Sequence, residues 1–510
     1  MQPERRFTDW HGLETPEIIA QRKSDWRCGP IVYHIFVDRF APSEALDKKK
    51  DLYSSPRILR DWSHEPRHDE FLQEHSVWSH EVEFWGGDLN SVATKIDYLK
   101  QLGVECVYLN PIHDSFTNHK YGAKDYRKIS PEYGTREQLK SLTKDIHAVG
   151  MRIMLDGVFN HMGMQAPIFV DARENESSPY RDWFSFSNKY EHGHRGWYNV
   201  SNLPELNLEN ELVRNDLWNN DDSVVASYLK DGIDGWRLDV AFDIGPEYLK
   251  ELTAAAHRVK HDSWIIGEVW SDPNGWSDSM DGLMNFNFRQ LMIEMLAENM
   301  SGAQVGRILE RQTSSGNYDG LLKSWLILDN HDTPRIKNVL PDFRQRSLAQ
   351  TLQFCLPGSP CIYYGVEVGM SGGDDPEMRG PMQWDGVNAG NPEFARINDL
   401  IKIRQDSPAL RYGSIRFLPT VSALAFSRYT DRSVDDVVVV ANATGQTITE
   451  VITPENPWVL HFTMYHDQLS DFQTQQHSGL LTVEVPPFGI RILKPRIDRG
   501  GDYSSYKRLK

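Results

Sequence analysis

The chain has 510 residues, 39% of them apolar and 25% charged, an ordinary globular composition with room for about two to four domains. A formal charge of -17 argues against nucleic acid and anionic membrane as main partners, since both are met with basic patches. No stretch approaches the ~20 apolar residues of a membrane span, and the opening MQPERRFTDWHG lacks the apolar run of a secretory signal. Taken in chain order, IVYHIFVDRF (31–40) predicts a strand, SVATKIDYLKQLG (91–103) an amphipathic helix, and VECVYLNPI (104–112) the next strand. TREQLKSLTKDIHAVG (135–150) repeats the helical period and ends on glycine, and MRIMLDGVFNH (151–161) follows as a strand.

Residues 162–212, rich in Asn, Pro, Ser, Gly and aromatics, are too long for an ordinary connection and predict a small inserted domain. The alternation then resumes with SVVASYLKDG, GWRLDV, PEYLKELTAAAHRVKH and SWIIGEVW, and further strands are predicted at GLMNFNF (282–288), SWLILDNHD (324–332) and PCIYYGVEVG (360–369). Eight strands in βα order favour an α/β fold of the closed (β/α)8 type over an open sheet, and no GxGxxG follows the first strand. After about residue 410 the short strands SALAFSRY, DVVVVANAT, TITEVIT and LLTVEVPPFGIRILKP predict an antiparallel β-sandwich. The predicted organisation is an N-terminal extension (1–30), a barrel (31–161 and 213–408), an inserted B domain (162–212), a β-sandwich (409–498) and a loose polar tail (499–510).

Cys28, Cys106, Cys355 and Cys361 have no metal-ligand spacing, and three of them fall in apolar runs, so free buried thiols and a reducing cytoplasm are expected. Fifteen tryptophans and twenty tyrosines exceed what a core of this size needs; such rings suit sugar faces, although many must be core residues.

The segment GIDGWRLDVAFD (232–243) has the pattern of a buried strand yet places Arg237 and Asp239 on one face, opposite Trp236, Leu238 and Val240. Burying two charges costs several kcal/mol per ion unless each is well partnered, so the pair points to a site, with a structural salt bridge as the other reading. A barrel of this kind works at the C-terminal ends of its strands, and four predicted strands end in acids: Asp156, Asp239, Glu268 and Asp332. One acid alone could be a helix cap; four on one rim suggest acid and base chemistry, because crowded carboxylates raise one another's pKa. Two carboxylates flanking a bond, one ionised and one protonated, are the equipment for cleaving a glycosidic link. Arg237 is expected to keep Asp239 ionised as a nucleophile, and Glu268, among Ile265, Ile266, Val269 and Trp270, to favour the protonated form of a general acid.

At these residues the sequence resembles the alpha-amylase family of glycoside hydrolases. DGVFNH (156–161), GWRLDVAFD (235–243), GEVW (267–270) and LDNHDTPR (328–335) match its four main motifs in order. The resemblance implies that Asp239 is the nucleophile, Glu268 the general acid/base and Asp332 the acid that binds and distorts the sugar, with Arg237, Asp156, His161 and His331 lining the same subsite. In NHKYGAKDY it also implies roles for His119, for Tyr121 as a stacking ring and for Asp125 as a supporting acid. LPELNLEN (203–210) resembles the motif of the neopullulanase, cyclomaltodextrinase and maltogenic amylase subgroup, and Asp375 and Arg379 match residues that grip the next sugar out.

That subgroup usually carries an N-terminal β domain ahead of the first strand, and here 30 residues stand there, so the oligomeric state is left open. The resemblance also leaves a structural calcium open: Gly86 and Asp88 fit half of one site, and Asn160 matches a ligand of another, where Asp243 replaces a histidine. The three lysines of APSEALDKKK stand against the first. The chemistry itself needs no cofactor. The expected activity is retaining hydrolysis of α-glucan bonds, mainly α-1,4, in malto-oligosaccharides, starch-type glucans or cyclodextrins. A transglycosylase and a noncatalytic glucan-binding relative are the alternatives.

Overall fold

The computed structural model describes residues 13–498 and 504–507. Eight parallel strands close into a barrel: β1 (Val32–Ile35), β2 (Cys106–Leu109), β3 (Arg152–Gly157), β4 (Gly235–Leu238), β5 (Trp264–Val269), β6 (Gly282–Asn285), β7 (Trp325–Leu326) and β8 (Ser359–Tyr363). Each pairs with its chain neighbours and β1 closes on β8. This is the (β/α)8 architecture that the alternating pattern predicts. Amphipathic helices such as Arg136–Ala148, started by the Thr135–Gln138 capping box, cover the outside.

Period-two alternation decides what fills the barrel. Val32, Cys106, Tyr108, Met154, Trp264, Ile266, Met284 and Trp325 form one buried interior cluster. One residue pair further along the same faces the lining turns polar. Met154 gives way to Asp156, Ile266 to Glu268 and Val32 to His34, and Arg237 stands level with both Asp156 and Ile266. The interior is thus a dry hydrophobic plug capped by charge at the C-terminal rim, the working end of such barrels. Gly235 begins β4 because a Cβ there would lie 2.1 Å from the Trp264 carbonyl oxygen.

Several predicted strands are shorter than their apolar runs. The first stops at Ile35 and turns into a helical turn (Val37–Phe40), so Asp38 and Arg39 are buried beside it rather than alternating along a strand. The 282–288 run splits, with Phe286 opening the helix Phe286–Leu296, capped by Asn285. The 324–332 run pairs only at Trp325 and Leu326, and Asp332 stands beyond it in a turn. Apolar content reports burial, and here burial continues past the last ladder hydrogen bond.

The B domain follows β3. It has one longer helix, Pro167–Glu174, and is otherwise tied by isolated bridges, Phe184 to Leu206, Phe186 to His194 and His161 to Glu205. Phe169 packs edge-on to Phe184 at 5.0 Å inside it. The C-terminal domain contains β9 (Ser414–Phe417), β10 (Leu424–Tyr429), β11 (Val437–Ala441), β12 (Ile448–Ile452), β13 (Met464–Asp467), β14 (Gln473–Gln475), β15 (Leu481–Val485) and β16 (Ile490–Pro495). Antiparallel β12 and β15 face a six-stranded sheet ordered β9-β10-β11-β16-β13-β14 across a buried apolar layer. The strands β9, β13 and β14 carry mixed polar sequences and are not legible from hydrophobic runs.

Both chain ends differ from expectation. Residues 1–12 of the predicted extension lie outside the described residues; beyond them, Pro16–Ser24 is a helix whose Arg22 reaches Asp319 at 2.7 Å and Ser414 at 2.9 Å. Most of the predicted loose tail also lies outside, but Tyr506 is buried and its hydroxyl accepts from the Leu460 backbone N–H at 2.7 Å. One aromatic ring with a polar tip is enough to dock an otherwise polar segment.

Candidate active site

Arg237 is the hub of the charged rim. Its side chain is fully buried, and Nη1 lies 2.9 Å from both oxygens of Asp156 and 3.1 Å from Asp239 Oδ1. Nη2 lies 2.8 Å from Glu268 Oε2. One guanidinium therefore touches three carboxylates from three adjacent strands, β3, β4 and β5. Asp156 is further held by the hydroxyls of Tyr108 and Tyr121, the latter at 2.8 Å.

Immediately after Asp239 the chain makes an abrupt turn. Val240 sits at φ 39°, ψ 48°, a left-handed conformation that β-branched residues rarely adopt. Such strain costs of order 1–3 kcal/mol and persists only where the surroundings impose it. Here it aims the Val240 N–H at Glu268 Oε2, 3.0 Å away. Trp270 Nε1 donates to the other oxygen, Oε1, at 2.8 Å, while its half-exposed ring stacks on Phe286.

The other predicted residues gather round this core. Tyr121 stacks on His331 (centroids 5.1 Å, planes 5° apart), and His331 Nε2 lies 3.0 Å from Asp332. Arg379 donates to the His331 carbonyl at 2.8 Å and stands 3.4 Å from Asp332 and 3.0 Å from Asp375. His161 Nε2 is 3.8 Å from Asp239 Oδ2. His119 is anchored by Glu81 at 2.9 Å and accepts from the Tyr121 N–H. Asp125 is not brought to the site. It accepts from the Arg127 N–H at 2.9 Å and pairs with Lys128 at 3.0 Å on a hairpin strand (Ala123–Ile129), because strand alternation turns it away from the rim.

Sequence reading missed a supporting layer. His34 bonds Asn110 at 2.7 Å, and Asn110 donates to the Tyr121 hydroxyl at 2.9 Å, so a relay starting on β1 sets the ring that stacks at the rim. Trp197 of the B domain stacks on His161 and donates to Asp243 at 3.0 Å. A polar residue at the inward position of each strand end, as at His34, is the signal that could have found the first of these.

The electrostatics correct one expectation. Burial, with Glu268, Asp156 and Asp332 as neighbours, outweighs Arg237 and pushes Asp239 well above the usual carboxylate range, so Arg237 does not by itself keep the free enzyme's Asp239 ionised. Glu268, expected in an apolar setting, instead accepts from the Val240 N–H and the Trp270 indole and has the Arg237 guanidinium 2.8 Å away. Burial and Glu268 likewise raise Asp332 to about 7. Asp156, Asp239 and Asp332 are thus raised together, each by burial first. The histidines move the other way, burial taking His161 and His34 to about 3 and His331 well below its ordinary value. All three rings are neutral at pH 7 and add no positive charge to the slot.

The calcium candidates do not form a cage. Asp88 Oδ1 caps the helix Leu89–Ala93 by accepting from the Ser91 N–H at 2.7 Å, and Oδ2 accepts from Ser43 and from Lys49 Nζ at 2.6 Å. Gly86 has the Leu46 methyl group over it, 2.3 Å from where a Cβ would stand. Asn160 is buried beneath the B domain, where its backbone carbonyl accepts from the Leu206 N–H. Among the described residues no three His, Cys, Asp or Glu side chains come together as a metal site.

Comparison with known proteins bears on the family and the fold. A cyclomaltodextrinase of Geobacillus thermopakistaniensis is 32% identical over 481 residues, covering 91% of this chain and 76% of that protein. The intracellular maltogenic amylase of Bacillus subtilis is 32% identical over 396 residues, 76% of this chain and 63% of the relative. Among solved structures, the cyclic α-maltosyl-(1→6)-maltose hydrolase of Arthrobacter globiformis superposes with a TM-score of 0.76 at 27% identity, covering 92% of this chain and 100% of that one. The alpha amylase catalytic domain matches residues 34–412, the span that runs from within β1 through the last strand of the barrel and carries every rim acid named above, and the chain belongs to the alpha-amylase family of glycoside hydrolases.

Proposed function

We propose that the chain hydrolyses α-glucosidic bonds, mainly α-1,4, in malto-oligosaccharides, starch-type glucans or cyclodextrins, with retention of anomeric configuration. The observation that carries the reading is the shared guanidinium: Arg237 touches Asp239 and Glu268 together, fixing both carboxylates on one slot. Asp239 attacks the anomeric carbon while Glu268 gives its proton to the departing oxygen; water, deprotonated by Glu268, then opens the glycosyl-enzyme ester and frees Asp239. The nearest cations, Arg237 and Arg379, are both bound to carboxylates, and His161 and His331 are neutral. No free positive charge therefore opposes the cation-like sugar of the transition state, and the carboxylates facing it stabilise it more than the neutral substrate. In this reading Asp332, Tyr121, His161 and His331 hold the flattened ring, and Asp375 with Arg379 the next sugar.

The test is the first product released from maltotriose and from a cyclodextrin. NMR taken before mutarotation should show the α-anomer at the new reducing end; a β-anomer would end the double-displacement reading. Transglycosylation is the second reading, favoured by the exposed rings of Trp270 and Phe242 close to Glu268 and Asp239 in the chain, which offer an acceptor sugar a platform. Longer oligosaccharides dominating at high maltotriose would select it.

A pH profile follows from the cluster. The free enzyme needs Asp239 ionised, and Asp239 is pushed upward, so kcat/KM should fall on the acid side with an apparent pKa above the ordinary ~4 of an aspartate. An acid limb at 4 or below would contradict the burial argument.

A cytoplasmic location is the reading that suits four unpaired buried cysteines. No helix among the described residues is long and apolar enough to cross a membrane.

A further inference from the structure

The turn at Gly86 and Asp88, where the family resemblance leaves a calcium site open, is built around amines. Lys49 Nζ lies 2.6 Å from Asp88 Oδ2 and donates to the Glu132 carbonyl at 2.9 Å. A calcium–oxygen bond is about 2.3–2.6 Å, so the ammonium stands where the ion would stand relative to Asp88. Around it every acid already has its partners. Glu132 Oε1 takes Lys120 at 2.7 Å and Arg57 at 3.1 Å, and Oε2 takes the Ser130 hydroxyl at 2.7 Å. Asp38 accepts from the Trp85 and Gly86 N–H groups and from Arg39 Nε at 3.1 Å. Three carboxylates thus meet four fixed cations: Lys49, Arg57, Lys120 and Arg39. A divalent ion would enter a neighbourhood that is already net positive, and would find the oxygens of Asp88 taken.

The cluster also has something to hold. Lys120 is fully buried at φ 68°, between His119 and Tyr121, the two rim side chains. Its bond to Glu132 fixes that left-handed turn, and Lys49 fixes the Glu132 backbone from the opposite side. The segment Leu46–Tyr53, which carries Lys49, is therefore fastened to the same post that sets the Tyr121 ring.

We propose that Lys49, backed by Arg57 and Lys120, supplies the positive charge that a calcium ion would supply at this turn, and that the enzyme's stability is independent of calcium. The experiment uses the full chain, purified and dialysed against a chelator. Elemental analysis should find no stoichiometric calcium, and the wild-type Tm should differ by less than about 1 °C between excess EDTA and millimolar calcium chloride. Lys49→Met, which keeps the length and loses the charge, should lower the Tm in EDTA by about 3 °C or more, because buried Asp88 loses its counter-charge and the Glu132 carbonyl its donor. Stoichiometric calcium in the wild type, a calcium-induced rise of more than about 3 °C in its Tm, or a Lys49→Met variant as stable as the parent would each overturn the proposal. The wild-type measurements decide it even if the variant does not fold.

Discussion

Asp239→Asn should lower kcat on maltotriose by roughly four orders of magnitude or more, while the Tm stays level or rises. The amide keeps the shape of the carboxylate and can still meet Arg237, but it cannot form the glycosyl ester. The expected gain in stability follows from the sign of the pKa shift. Asp239 in the fold is pushed well above its unfolded value by burial and by Glu268, Asp156 and Asp332, so at neutral pH its negative charge destabilises the native state, and a neutral amide removes that cost. Glu268→Gln should behave differently. It loses the proton donor, so natural substrates suffer comparably, but α-maltosyl fluoride needs no acid to expel fluoride. With that substrate Glu268→Gln should give a burst of fluoride equal to the enzyme present and then stall, because the water that opens the ester has lost its base. Asp239→Asn should give no burst. A burst from Asp239→Asn, or none from Glu268→Gln under conditions where the parent turns over, would reverse or remove the two roles.

Much of this site could be read before folding because the barrel turns position into function. Asp156, Arg237 and Glu268 lie on strands whose inward faces follow a period of two, so placing the strand places the side chain. Asp332 is different: the run 324–332 reads as a strand that ends on this acid, but the strand is two residues long and Asp332 stands in a turn beyond it. Three things stayed out of reach. The strain at Val240, which turns an N–H onto Glu268, depends on a dihedral angle that the valine itself disfavours. The path from His34 through Asn110 to Tyr121 joins residues 76 and 11 positions apart and follows no local pattern. The sign of the Asp239 shift needed the depth of burial as well as the identity of its neighbours; a lone arginine two residues away in sequence says nothing about three other acids arriving from β3, β5 and beyond β7. The lysines at 48–50 were legible as unfavourable to calcium, but the positive use of Lys49 appears only once Asp88 and Glu132 are seen on either side of it.

Arg237→Met should be the most destabilising substitution at the rim, by about 3–5 kcal/mol, the usual cost of removing one member of a buried ion cluster and leaving the others uncompensated. Methionine fills most of the stem's volume and already has Met284 as a neighbour, the Arg237 Nε lying 3.2 Å from its sulfur, so lost packing is a minor part. The diagnostic feature is the dependence on pH. In the parent, Arg237 draws down the pKa values of Asp156, Asp239 and Asp332 against the upward push of burial. Without it those three rise further, the folded variant binds more protons than the unfolded chain over a wider range, and stability must fall more steeply as pH increases. The Tm gap between parent and variant should therefore be wider at pH 8 than at pH 5, where protonation relieves much of the uncompensated charge. Arg237→Lys should recover part of the gap at both pH values, since one ammonium restores the charge but cannot reach Asp156, Asp239 and Glu268 together as the planar guanidinium does. A gap that is the same at pH 5 and pH 8 would mean that Arg237 serves the barrel by filling space, and that the rim acids are already neutral in the resting enzyme.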